Sequence, residues 1–166
     1  MDHRYALGLG ANIYRSGPPA RAIKRALATL EEWGIDILAR SRVLHTRPLG
    51  PGQRNFANAA VIVETEHAPP ALFALVKAIE RDFGRRRSRR WGDRVLDIDI
   101  ILWSGGIWAD RDIAIPHPAF RDRAFVLDPL AEIAADWHDP VSGRTIRQLR
   151  HRLSAHSPVD RAGAPP

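Results

Sequence analysis

The chain is predicted to fold as an α+β domain with a ferredoxin-like βαββαβ core, an antiparallel sheet carrying helices on one face, followed by a C-terminal helical extension. Three observations predict this. Segments with a period of two alternate with segments of helical period in the order strand, helix, strand, strand, helix, strand. Prolines and glycines punctuate both helical segments. The 166 residues are 45% hydrophobic with no run near 18 apolar residues, which suits one domain with its own core and excludes a membrane-spanning helix.

The elements follow in order. "RYALGLGA" is a short strand ending in glycines. "PARAIKRALATLEEW", residues 19 to 33, repeats apolar residues at Ile23, Leu27 and Leu30 with Ala26 between, and Gly34 stops it, the pattern of an amphipathic helix. "IDILARSRVLHT" alternates at Ile35, Ile37 and Ala39, then changes phase at Ser41 before Val43 and His45, so it reads as a bulged strand. "RPLGPGQRN" is a loop, because two prolines and two glycines break any regular element. "FANAAVIVETE" is the next strand, antiparallel to the last. "PPALFALVKAIERDF" opens on prolines, repeats apolar residues at Leu72, Leu75, Val76 and Ile79, and stops at Gly84, a second helix. "RVLDIDIILW", residues 94 to 103, is the fourth core strand. Short helices around "DPLAEIAADW" and "TIRQLRHRL" complete one domain over residues 1–154, and residues 155–166 are expected to form a disordered tail.

The net charge is +6 and the pI about 10.8, so anionic partners are favoured: nucleic acid, nucleotides or phosphorylated substrates. Lys24 and Lys77 are the only lysines among 25 basic residues. "RDFGRRRSRRWGDR" gathers Arg81, Arg85, Arg86, Arg87, Arg89, Arg90 and Arg94 with two glycines just before the fourth strand. Guanidinium groups grip phosphate oxygens bidentately and stay charged, so this stretch suits a polyphosphate clamp or a nucleic-acid-binding arm. With no cysteine and no apolar leader at the start, a cytoplasmic protein is expected.

The fourth strand carries two acids among branched apolar residues. Strand side chains alternate, so Leu96, Ile98, Ile100 and Leu102 line one side and Val95, Asp97, Asp99, Ile101 and Trp103 the other. Both carboxylates therefore point the same way. With Cα atoms roughly 6.6 Å apart, the like charges repel by ~0.7 kcal/mol in water or ~2.8 kcal/mol at an effective dielectric of 20. Two readings follow: a solvated face balanced by the nearby arginines, or a cradle for a divalent cation. No G-x-x-x-x-G-K-[ST] loop, G-x-S-x-G elbow or H-E-x-x-H pair occurs, and "GLGAN" lacks the third glycine of a dinucleotide fingerprint. His117 in "IPHP" stands out because prolines on both sides restrict its backbone. Phe56, Trp91 and Phe125 each neighbour Arg or Asn, which serves packing or the sandwiching of a flat heterocycle. A basic ferredoxin-like nucleic-acid-binding module would account for the charge, but two acids on the binding face would repel phosphate unless a metal intervened.

"GLGAN", "HTRPLGPGQRNFANAAV", "IERDFGRRRSRRWGDRVLDIDIILW" and "IPHPAFRDRAFVLDPL" resemble the successive signatures of the 6-hydroxymethyl-7,8-dihydropterin pyrophosphokinases of folate biosynthesis. The resemblance runs from about residue 5 to 150, and its most specific piece is R-W-G-x-R-x-L-D-x-D. It implies transfer of diphosphate from ATP to the pterin hydroxymethyl group, with release of AMP. Asp97 and Asp99 would bind two Mg²⁺ ions. Arg85 and Arg94 would hold the phosphates in the transition state, with Arg87, Ile98, His117 and Arg123 also binding ATP. Thr46, Pro48, Leu49, Phe56, Asn58 and Phe125 would take the pterin, with Asn12 nearby and Trp91 on a closing loop. The expected partners are ATP and a dihydropterin, with no nucleic acid and no membrane, acting on a monomer. The chain departs from the family in having "GQRN" where D-Q-P is usual, with Arg47 at a site commonly held by a small residue or proline.

Overall fold

The computed structural model describes residues 1–11, 18–46, 56–84 and 96–156. Strands β1 (His3–Ala11), β2 (Asp36–Arg40), β3 (Leu44–Thr46), β4 (Phe56–Thr65) and β5 (Asp97–Trp103) form one antiparallel sheet in the order β2-β4-β1-β5, with β3 also paired to β4. Helix α1 (Pro19–Glu32) connects β1 to β2, and α2 (Pro69–Gly84) follows β4.

Alternation decides which side chains meet these helices. Tyr5, Leu7 and Leu9 of β1, Ala59, Val61 and Val63 of β4, and Ile98 and Ile100 of β5 form one cluster with Ile23 and Leu30 of α1 and Leu72, Val76 and Ile79 of α2. The helix residues recur at the three- and four-residue spacing read from the sequence. The break at Ser41 is real as well. Ser41 Oγ accepts the Ala60 amide hydrogen, and the strand segments on either side, β2 and β3, both pair with β4.

The opposite face departs from expectation. Ala6, Ala60, Ile62, Ile101 and Leu102 form a second buried cluster with Phe120 and two C-terminal helices, α3 (Ala124–Ile133) and α4 (Ile146–His156). The C-terminal helices thus cover much of the face that helices on one side alone would leave open. A bulge explains why Leu102 joins them. Leu102 pairs with Ala6 and Ile100 with Leu7, leaving Ile101 as the extra residue. Beyond that point the alternation changes phase, so Leu102 turns from α1 and α2 while Trp103 packs against the first cluster.

Helix α3 begins four residues earlier than the sequence suggests, with Pro129 inside it. An interior proline costs about 3 kcal/mol. Val126, Leu127 and Leu130 are each at most 7% exposed, and burying such side chains returns about 1.5–3 kcal/mol apiece, so packing wins. Helix α4 runs on to His156, two residues past the expected domain end, and residues 157–166 lie outside the described residues. Its start is fixed by a reciprocal cap: Thr145 Oγ1 accepts the Gln148 amide hydrogen at 3.2 Å, and Gln148 Oε1 accepts that of Thr145 at 3.0 Å. Thr145→Ala is expected to cost about 1 kcal/mol, read as a lower urea midpoint at unchanged m-value.

A second sheet, not expected from the sequence, pairs β6 (Trp108–Ala109) with β7 (Ala114–Ile115) just after β5. It leads into the "IPHP" turn, where the His117 amide donates to the Ile101 carbonyl at 3.0 Å.

Candidate active site

The cross-strand register assembles the site. Asp97 lies opposite Gly10 on β1, Gly10 opposite Asn58 on β4, and Asn58 opposite Leu44 on β3; one step along, Asp99 lies opposite Gly8. Residues directly opposite one another share a face, so the acids, both glycines and Asn58 lie on the side away from α1 and α2. They line a cleft of about 550 Å³ with Phe56, Arg123 and Phe125.

The glycines give the cleft its floor. A Cβ on Gly10 would stand 3.2 Å from Asn58 Oδ1, and one on Gly8 3.5 Å from the Ile101 side chain. Glycine at both positions keeps the sheet bare between the carboxylates and the Asn58 amide. Sequence reasoning read "GLGAN" as a strand end, an incomplete phosphate loop and a family signature, and missed this; the signal was available, since Gly8 and Gly10 fall at the alternate strand positions that leave Leu7 and Leu9 to the core.

Asn58 is 7% exposed, a buried amide facing the cleft with both a donor and an acceptor. Phe56 and Phe125 are 41% and 44% exposed and present their rings at the cleft. Phe56 begins β4 and Phe125 lies in the first turn of α3. The Arg123 guanidinium sits 5.7 Å from the centre of the Phe125 ring, so a cation and a flat apolar surface share one wall.

His117 stands beside Asp99. Its Nδ1 accepts the Ala119 amide hydrogen at 3.2 Å, while Nε2 lies 3.9 Å from Asp99 Oδ2. The neutral ring therefore carries its proton on Nε2, toward the acid. Burial pushes the imidazole below its usual pKa, and although Asp99 pulls it up, Arg123 and Lys77 add to the lowering.

The structure thus brings together Asp97, Asp99, Phe56, Asn58, His117, Arg123 and Phe125. The β3 backbone places Thr46 opposite Phe56. Ile98 is displaced: its side chain is 1% exposed within the cluster under α1 and α2, because alternation sends it away from the face carrying its acidic neighbours. Asn12, Pro48, Leu49, Arg85, Arg87, Trp91 and Arg94 lie outside the described residues.

Among the described residues, no group of three or more His, Cys, Asp or Glu is placed to hold a metal. Two carboxylates on one strand still suit a hard divalent cation that completes its shell with phosphate oxygens and water, as Mg²⁺ prefers.

Comparison with known proteins agrees with this geometry. The family model described as 7,8-dihydro-6-hydroxymethylpterin-pyrophosphokinase matches residues 6–135. The chain is 41% identical over 148 residues to a 2-amino-4-hydroxy-6-hydroxymethyldihydropteridine pyrophosphokinase of Synechocystis sp., covering 89% of this chain and 74% of the relative. It is 41% identical over 152 residues to the Methylorubrum extorquens protein of the same name, covering 90% and 93%. Among solved structures, Plasmodium falciparum HPPK-DHPS with pteroate superposes with a TM-score of 0.71 at 15% identity, a likeness of fold that covers 93% of this chain and 43% of the other. The chain belongs to the 7,8-dihydro-6-hydroxymethylpterin-pyrophosphokinase family.

Proposed function

We infer that the cleft transfers diphosphate from ATP to the hydroxymethyl group of 6-hydroxymethyl-7,8-dihydropterin and releases AMP. The observation that carries this reading is the row Asp97, Gly10, Asn58 across one sheet face, which sets a phosphate-handling acid pair beside an amide suited to a heterocycle edge. The hydroxymethyl oxygen attacks the β-phosphorus and gives up its proton to solvent, the bond from that phosphorus to the bridging α-β oxygen breaks, and the electron pair leaves with AMP.

Each residue has a part. Asn58 pairs donor and acceptor with the pterin edge, and Phe56 and Phe125 cover the ring faces. Asp97 and Asp99 would hold Mg²⁺, with two ions in the family's manner; bound there, the metal supplies neutralisation of phosphate charge. Arg123 adds fixed positive charge from the start of α3, and neutral His117 offers its Nε2 proton to an anionic oxygen. Such transfer needs positioning and charge more than covalent help, so the site requires no obvious general base. For Arg85, Arg87, Arg94 and Trp91, as for Asn12, Thr46, Pro48 and Leu49, support comes from family resemblance; the arginines would grip the phosphates and Trp91 would close over the reactants. Strand order β2-β4-β1-β5 in an antiparallel sheet supports reading the core as ferredoxin-like. Among the described residues no helix is long and apolar enough to cross a membrane; the proposed setting is a cytoplasmic monomer, in one domain that includes all of α4 to His156.

The deciding assay supplies ATP, Mg²⁺ and the dihydropterin and measures AMP. AMP formation should require the pterin; AMP released equally without it would overturn the reading. Gly10→Ala tests the pterin side. Its Cβ would crowd Asn58 Oδ1, so the pterin KM is expected to rise about tenfold, roughly 1.4 kcal/mol of lost binding, while the KM for ATP stays near its original value.

A further inference from the structure

Among the described residues, strand β5 lies at the edge of the sheet with β1 as its one ladder partner. At its start, the peptide between the two acids is held from outside the sheet. The Ile98 amide donates to Glu80 Oε1 of α2 at 2.6 Å. Glu80 is itself steadied by Lys77, whose Nζ lies 3.0 and 2.9 Å from its two carboxylate oxygens, and only 14% of the Glu80 side chain is exposed. The neighbouring Ile79 is fully buried against the sheet, as are Leu72 and Val76, so the carboxylate projects from a firmly seated helix.

We propose that Glu80 is a positioning residue for the acidic pair: by clamping the Ile98 amide it sets the pitch of β5 between Asp97 and Asp99 and thereby where both carboxylates stand. The proposal rests on reading those two acids as divalent-cation ligands. Ile98 is pinned twice, its side chain in the core and its N–H by Glu80, and the acids on either side inherit that position. Satisfying a donor is not reason enough for the contact, since water can serve an edge amide. A partly buried carboxylate on a rigid helix gives what water cannot, a directed, charge-assisted bond. Glu80 touches neither phosphate nor pterin in this reading and acts wholly through the strand.

The test uses the full chain with Mn²⁺ as probe and a non-hydrolysable ATP analogue, bound metal being read by electron paramagnetic resonance and pterin affinity by fluorescence titration. Glu80→Ala is expected to weaken Mn²⁺ binding at least about tenfold, the usual scale for an outer-shell residue, with pterin affinity kept within about threefold. Glu80→Gln retains an acceptor oxygen and should recover Mn²⁺ binding to within about threefold of the parent. Faster hydrogen exchange at the Ile98 amide in Glu80→Ala, and not in Glu80→Gln, would locate the change. Unchanged Mn²⁺ binding in Glu80→Ala, equal loss of metal and pterin binding, or failure of Glu80→Gln to recover would each overturn the proposal. Asp97→Asn separates it from its premise. If that variant binds Mn²⁺ as the parent does, the ligand reading falls and takes the proposal with it; if it weakens while Glu80→Ala does not, the role of Glu80 alone falls.

Discussion

Asp99→Asn is expected to reduce pterin-dependent AMP formation by roughly 10²- to 10³-fold, the scale lost when a preorganised electrostatic group is removed from a transition state. The substitution keeps the shape of the side chain and removes one of two like charges that repel by ~0.7 to ~2.8 kcal/mol. The unfolding temperature should therefore hold or rise while turnover collapses. A core residue behaves in the opposite way, losing stability first. The His117 ring offers an independent readout: Asp99 favours its protonated form, against burial, Arg123 and Lys77. In Asp99→Asn the imidazole should titrate at lower pH than in the parent, as followed by NMR. Turnover within tenfold of the parent would remove the acid pair from the chemistry.

The largest effect on stability is expected far from the acids. Asp139 is fully buried, accepts from Arg121 Nε and Nη2 at 2.7 and 2.6 Å, and also accepts from the Val141 amide and the Ser142 hydroxyl. Its own backbone bonds to Arg144 and Gly143 close the turn that leads into α4. Asp139→Ala would strand the Arg121 guanidinium, whose side chain is only 26% exposed. Breaking a buried pair in this way costs about 3 kcal/mol or more, which for a domain of this size lowers the unfolding temperature by roughly 6–12 °C. A shift under about 2 °C would show that the cluster contributes little.

The same carboxylate makes stability depend on pH. Burial alone would raise its pKa, but the hydrogen bonds from Arg121, Ser142 and the Val141 amide overcome that and hold it at about 2. The unfolded chain has an aspartate near 3.9. A carboxyl depressed by folding stabilises above the unfolded value and loses that contribution as pH falls through the folded one. The protein should therefore lose about 2–3 kcal/mol between roughly pH 5 and pH 1 from this group. Asp139→Ala, already lacking the contribution, should show a flatter acid limb in denaturant titrations over that range.

Much of this molecule follows from short-range pattern. The spacing of Ile23, Leu27 and Leu30, and of Leu72, Val76 and Ile79, is enough to place two helices on a sheet, because a helix with one apolar stripe has one face to bury. Strict alternation places Asp97 and Asp99 together and opposite Ile98. The break at Ser41 announces two strand segments. Where local pattern misleads, a long-range force outweighs it. Pro129 suggests a helix start, yet Val126 and Leu127 gain more by packing beneath the sheet than the helix loses at the proline. Leu102 obeys alternation until a bulge that only pairing with β1 reveals.

The sequence by itself determined the acid pair, its common face, the family signatures around it and the two helices beneath, since each depends on residue identity and a repeat of two or about 3.6. Only the tertiary structure decided what those acids face. The bare glycine floor leading to Asn58, the helices over the second face, the Glu80 clamp on Ile98 and the Asp139–Arg121 pair join residues at least 18 positions apart. Such contacts arise from strand register and the closing of chain segments upon one another, which no local period records.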